Sequence, residues 1–191
     1  MRVSKEKAAE HRQQILTEAA RLFRKHGLGA TGVDAITRNA GLTHGAVYSR
    51  FGSKEAIAIE AIRLALRDSR KSWLRSMERR GSKTILAAIA DSYLSERHRD
   101  APEQGCLVAA LAGDISREDK PIRDAFTKEF EDALKFLSAL VGSDDSSMSE
   151  DDVLAAFCLM AGAMIVSRAV SDDALSTRIL RVARERIAGR A

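Results

Sequence analysis

Residues 31–54, TGVDAITRNAGLTHGAVYSRFGSK, constrain the fold more than any other stretch of the chain. Val33 and Ile36 lie three apart on one helical face and are followed by Ala40, Gly41 and Leu42. Val47 and Phe51, at i and i+4, form a second short apolar face. Gly41 supplies the backbone freedom for a sharp turn between the two. Thr43 stands where a hydroxyl caps the free N–H groups of the next helix. Two helices of about eight residues joined by a short glycine turn form a helix-turn-helix, whose second helix is shaped for the DNA major groove.

The surrounding sequence agrees with a helical class. It holds only two prolines and 45% apolar residues, and no stretch alternates with period two, so the expected fold is all-α. A first helix is predicted over residues 5–26, with Ile15, Ala19, Leu22 and Phe23 as its stripe and Gly27 as its stop. Ser53 should cap a long fourth helix reaching about Arg80. Further helices are predicted near residues 85–93, 105–116, 121–141, 149–170 and 173–187, with loops at 99–102 and 142–150. Two domains follow: residues 1–54 as a helix-turn-helix DNA-binding unit, and 55–191 as a larger helical body, which the family resemblance described below makes a ligand-binding and dimerisation unit.

Charge is divided in the same way. Residues 1–54 hold ten Lys/Arg against four Asp/Glu, a net +6, whereas the rest is −2 within an overall +4. A basic segment carrying a helix-turn-helix has the electrostatic footprint of a nucleic-acid binder.

The motif closely resembles that of the tetracycline-repressor (TetR) family of transcriptional regulators, T-x-x-x-x-I-A-x-x-A-G-[VL]-[ST]-x-G-x-[LVF]-Y-x-[HR]-F-x-[ST]-K. Thr31, Ile36, Ala40, Gly41, Leu42, Thr43, Gly45, Val47, Tyr48, Phe51, Ser53 and Lys54 carry the match. Thr37 departs from it, standing where the family has alanine, and Gly32 loosens the first turn of its helix.

By position, His44, Gly45, Ala46 and Ser49 face outward on the second short helix, and the resemblance makes them base-reading positions. His44 has the chemistry to donate to or accept from a purine, and Ala46 to meet a thymine methyl. The resemblance assigns Tyr48 to a phosphate. Lys54, Thr31, Thr43 and Arg38 are further phosphate candidates, with Arg50 beside them.

A lone helix-turn-helix reads few base pairs, so a two-fold dimer and a palindromic operator are expected. The resemblance places the dimer interface on the last two helices. Ala155, Ala156, Ala161, Gly162 and Ala163 permit close approach, and Leu154, Phe157, Leu159 and Met160 add area. Leu175, Ile179, Val182, Ala183 and Ile187 form the stripe of the final helix. The resemblance also implies a small-molecule inducer among the middle helices, with Trp73, Met77, Tyr93, Phe126 and Phe130 as candidate liners. The chain is thus expected to repress an operator until that inducer releases it.

Cys106, opening an apolar helix near Arg97 and Arg99, is a candidate redox or electrophile sensor, because a thiol at a helix N-terminus is more reactive. Ordinary packing is its alternative role. Cys158, inside an apolar helix, is expected to be structural. An inducer-independent architectural DNA-binding protein and a small helical enzyme are the remaining alternatives.

Other signals carry less. GLGATG at residues 27–32 matches a dinucleotide fingerprint in letters, but it follows a helix rather than a strand. No zinc pair, calcium loop or nucleophile-base set is visible, so no enzyme activity, metal or cofactor is expected. The first residues lack an apolar leader core. The apolar run at 153–166 is short for a bilayer and reads as a helix buried on most sides. The two cysteines form no disulfide framework, consistent with a cytoplasmic location.

Overall fold

A computed structural model describes residues 5–189. Met1 to Ser4, where part of the leader reading falls, lie outside the described residues. The described chain is helical throughout, with no strand. The helices are α1 (Lys5–His26), α2 (Val33–Asn39), α3 (His44–Phe51), α4 (Lys54–Glu78) and α5 (Ile85–Tyr93). They continue as α6 (Glu96–Asp100), a 3₁₀ turn (Pro102–Gln104), α7 (Leu107–Ile115), α8 (Lys120–Gly142), α9 (Glu150–Ala169) and α10 (Asp173–Ile187).

Side-chain caps explain many of these boundaries. Thr43, Ser53, Thr84, Ser95 and Asp172 each accept a hydrogen bond from a backbone N–H in the first turn that follows. Ser149 and Asp152 form a reciprocal capping box at α9. Each cap contributes on the order of 1 kcal/mol. The predicted loop at 99–102 is instead the end of α6 and the start of the 3₁₀ turn, because Ser95 caps a short helix there.

The first three helices pack with the start of α4. Ile15, Phe23, Ile36, Val47, Ile57 and Ile62 are all at most 1% exposed and belong to one apolar cluster. Gly41 takes φ 66°, turning α2 toward α3 as expected. Thr37 fits where alanine was anticipated: its buried hydroxyl donates to Val33 O at 2.8 Å, so no polar atom is stranded. Across the unit, Arg21 donates to Asn39 Oδ1 at 3.0 Å. Arg12 pairs with Glu60 and lies over the Phe51 ring at 4.5 Å.

The rest of the chain builds outward from α4, which packs along α8, while α9 packs against α10, α8 and α7. The apolar cluster runs without a break from Ile15 to Ala183.

α9 is not buried on most sides. Val153, Phe157, Met160, Ala161, Ala163 and Met164 are buried, but Leu159, Ile165 and Val166 are 40–49% exposed, and Cys158 is exposed too. Its apolar residues surround the whole helix, so the sequence alone did not reveal two faces. By length and composition it is sufficient to cross a membrane. Its Val153, Phe157, Met160 and Met164 side, however, is part of the protein core.

Candidate nucleic-acid interface

The α3 helix is anchored by its inner face and open on its outer one. Val47 is fully buried, Phe51 packs partly against the core, and Gly52 ends the helix. Thr43, His44, Gly45, Tyr48 and Ser49 are exposed, while Ala46 is half-buried. These residues form one surface across the N-terminal turns of α3, the part of a recognition helix that reaches base edges.

His44 Nε2 lies 3.0 Å from Asp34 Oδ1 on α2, and its ring packs against Tyr48 with centroids 4.7 Å apart. Asp34 was not among the sequence-derived candidates. It occupies an unconstrained motif position, and only the folding of α2 beside α3 brings it to His44. Tyr48 is 43% exposed. Ser49 Oγ donates to Ala46 O at 3.1 Å, and Arg50 Nη1 donates to the same carbonyl at 2.8 Å. Arg50 also approaches His11 of α1, so part of its donor capacity is used within the chain.

A Cβ added to Gly45 would meet nothing within 4 Å. No internal contact therefore requires glycine at this helical position, where alanine would form helix more readily.

The remaining candidates divide. Arg38 is exposed near the end of α2. Lys54 is half-buried at the start of α4 and donates to Gly29 O at 3.3 Å. Thr31 is a correction: it is 3% exposed, and its hydroxyl donates to Gly27 O at 2.8 Å. That hydroxyl closes the turn after α1.

In the body, Trp73 and Phe130 line a small cavity with Leu66, Ser69, Cys106, Leu137 and Phe157. Its volume is about 10 Å³, the room of one water molecule. Met77, Tyr93 and Phe126 are not in its wall. Tyr93 adjoins it through Phe157 and Cys106, and its buried hydroxyl has no conventional hydrogen-bond partner. The Cys106 thiol is the polar group beside it. Burial pushes the Tyr93 phenol well above its ordinary value.

Cys106 is half-buried at the N-cap of α7. The cations whose fields reach it are Arg24 of α1 and Arg168 of α9, rather than the expected Arg97 and Arg99. Arg99 instead bonds Asp100 and Ser176. Burial lowers the pKa of both Arg24 and Arg168. Among the described residues, no group of His, Cys, Asp and Glu is arranged to hold a metal.

A capped, exposed second helix seated on a three-helix core defines a helix-turn-helix protein. Residues 15–61 match the family described as bacterial regulatory proteins, tetR family. The chain is 29% identical over 122 residues to the HTH-type transcriptional regulator LmrA of Bacillus subtilis. That match covers 61% of this chain and 63% of LmrA. It is 41% identical over 59 residues to AcrR of Shigella flexneri, 31% of this chain and 27% of that protein. These relatives are therefore matched over less than two thirds of their own length. In fold, the chain resembles the reduced form of Escherichia coli NemR, with a TM-score of 0.78 at 17% identity, covering 94% of this chain and 96% of that one. A TetR-family regulator from Cytophaga hutchinsonii gives 0.77 at 21% identity, covering 99% and 98%. Over residues 15–61 the chain thus carries the N-terminal domain that marks the tetR family of bacterial regulatory proteins, and its whole fold is similar to that of solved regulators of that family.

Proposed function

We propose that the chain is a homodimeric repressor that binds a palindromic DNA operator through α3 and leaves it when a small molecule binds the body. The observation that carries this reading is the outer face of α3. His44, Gly45, Ala46, Tyr48 and Ser49 share it, and Gly45 is a glycine with no internal need to be one. Close approach of a duplex gives that glycine a use. His44, Ala46 and Ser49 read bases; Tyr48, Thr43, Lys54 and Arg38 position the backbone. Residues 1–54 act as the reading unit and 55–191 as the body, working in the cytoplasm.

The dimer forms through the open face of α9 and α10. Leu159, Ile165, Val166, Leu175 and Val182 are each at least 40% exposed and apolar, with Ala155 and Gly162 also exposed on α9. Such a contiguous apolar surface marks an interaction site. Phe157, Met160, Ala161, Ala163 and Ala183 belong instead to the core. The inducer enters beside Trp73 and Phe130 by expanding their cavity, and it acts by favouring a spacing of the two α3 helices that does not fit DNA.

A second reading concerns Cys106, whose thiol lines that cavity beside the buried Tyr93 hydroxyl. Covalent change there replaces or supplements the inducer. Iodoacetamide alkylation, in which the sulfur–carbon bond forms and iodide leaves, should release DNA from Cys158→Ser but not from Cys106→Ser/Cys158→Ser.

The primary reading is tested by sedimentation of the free protein and by anisotropy titration of a mixed-sequence duplex at about 50 and 200 mM salt. A dimer whose affinity falls steeply with salt is expected. A monomer, or a protein without DNA affinity at the lower salt, overturns the proposal.

A further inference from the structure

Between α5 and α7 the backbone carbonyls are gripped from two sides. From α1, Arg24 donates through Nε and Nη2 to Glu103 O at 2.9 and 2.8 Å. From α9, Arg168 donates to Arg99 O at 3.0 Å and His98 O at 2.6 Å. The His98 imidazole spans the segment between them. Its Nδ1 lies 2.7 Å from Tyr93 O, and the Cys106 N–H points to its Nε2 at 2.9 Å.

A carbonyl only accepts and a backbone N–H only donates. The two bonds therefore fix a neutral ring, protonated at Nδ1 and bare at Nε2. The ring packs edge-on against Tyr93, with centroids 4.6 Å apart. Glycine at 105 leaves room for it, since a Cβ there would overlap the His98 ring.

We propose that His98 is a proton-operated strut: a second proton, on Nε2, breaks its bond to the Cys106 N–H, loosens residues 96–106 from α1 and weakens the setting of the helix-turn-helix for DNA. The proton comes from solvent and the Nε2 lone pair receives it. The Cys106 N–H is then left facing another donor.

Of the groups around the ring, Arg168 from α9 opposes that charge, the Tyr93 carbonyl of α5 favours it, and the Cys106 N–H at the start of α7 faces the nitrogen that would gain the proton. Asp100 on the same short helix is held by Arg99, and Glu103 interacts with Arg24 and Arg168. Burial, and then Arg168, lowers the His98 pKa from its ordinary 6.5, while the Tyr93 carbonyl raises it. Because the folded value is depressed, the strut contributes fully above pH 6.5 and is lost as pH falls below 6.5 toward and through the folded value.

The test is nitrogen-15 NMR of the full chain from about pH 8 to 5 at constant ionic strength, on wild type and His98→Gln. At the upper pH the His98 ring should be neutral with its proton on Nδ1. On acidification the ring, the Cys106 amide and the amides around Arg24 should shift with one midpoint, and this shared transition should be missing from His98→Gln. A ring that titrates while those amides stay still overturns the proposal, as does persistence of their transition in the variant. The wild-type midpoints decide alone if the variant does not fold.

The last step rests on the regulator reading and is measured separately. Between about pH 7.5 and 5.5, duplex affinity should fall more in wild type than in His98→Gln, by less than about tenfold because the folded value lies below 6.5. Equal losses in the two proteins overturn the coupling to DNA. No DNA affinity at any pH overturns the regulator reading, and the NMR shifts still decide whether the strut exists.

Discussion

Asp114 on α7 accepts a hydrogen bond from the Leu28 backbone N–H at 3.0 Å, joining the turn after α1 to the body of the protein. The same carboxylate crowds Gly27, where a Cβ would stand 2.6 Å from Oδ2 on a backbone already at φ 87°. Gly27→Ala should therefore cost about 1–3 kcal/mol, through strain and contact together. Asp114→Ala should cost about 1–2 kcal/mol by orphaning the Leu28 N–H. In urea unfolding the double variant should lose less than the two single losses added, because one removes the other's clash.

Gly45→Ala should separate folding from binding. Alanine meets no neighbour there and should stabilise the chain by up to about 0.5–1 kcal/mol. The added methyl should nonetheless weaken DNA binding, because it stands on the face offered to the duplex. Thermal unfolding and an anisotropy titration of the same variant check both signs.

His44 and Tyr48 touch each other and should fail differently. Tyr48→Phe keeps the ring packing and removes the hydroxyl, so affinity should drop similarly for all sequences. His44→Ala should change base preference at particular positions by about 1–3 kcal/mol per base pair. Asp34→Asn should show a weaker form of the histidine effect, since Asp34 contacts Nε2. Unchanged base preference in His44→Ala would remove it from the readout.

The exposed apolar face of α9 and α10 should be sensitive to charge. Val166→Asp and Val182→Asp each place a carboxylate on residues that are 49% and 50% exposed in the single chain. Neither should unfold the protomer, and both should shift it toward monomer in sedimentation.

Tyr93→Phe removes a buried hydroxyl that has no conventional partner, so it should be neutral or stabilising by up to about 1 kcal/mol. The folded phenol sits above its ordinary value of 10.0. Its contribution is thus complete below pH 10.0 and is lost as pH rises through the folded value. Unfolding of wild type and Tyr93→Phe across that range should show a shallower alkaline decline in the variant.

Where a single local interaction sets the structure, the sequence was enough. Gly41, Thr43 and Ser53 stand where the turn and caps were expected, because glycine freedom and N-caps act within three residues. The outward positions of His44, Gly45 and Ser49 followed from helical spacing alone. Thr31 was misjudged because its hydroxyl satisfies a carbonyl four residues back, an option that spacing does not disclose. Asp34, Arg24, His98, Asp114 and Arg168 were missed because their partners lie far along the chain or across a turn. Cys158 looked internal because α9 is apolar all round, and only packing decides which side faces out.

The central claim is that α3 reads a symmetric DNA sequence as part of a dimer. Selection of random duplex DNA by the purified protein at near-physiological salt, followed by sequencing, tests it directly. A dimer reading through α3 should enrich a two-fold symmetric motif whose half-sites lie about one helical turn, or a multiple of it, apart. Recovery of unenriched DNA, held only by salt-sensitive attraction to phosphates, would contradict it.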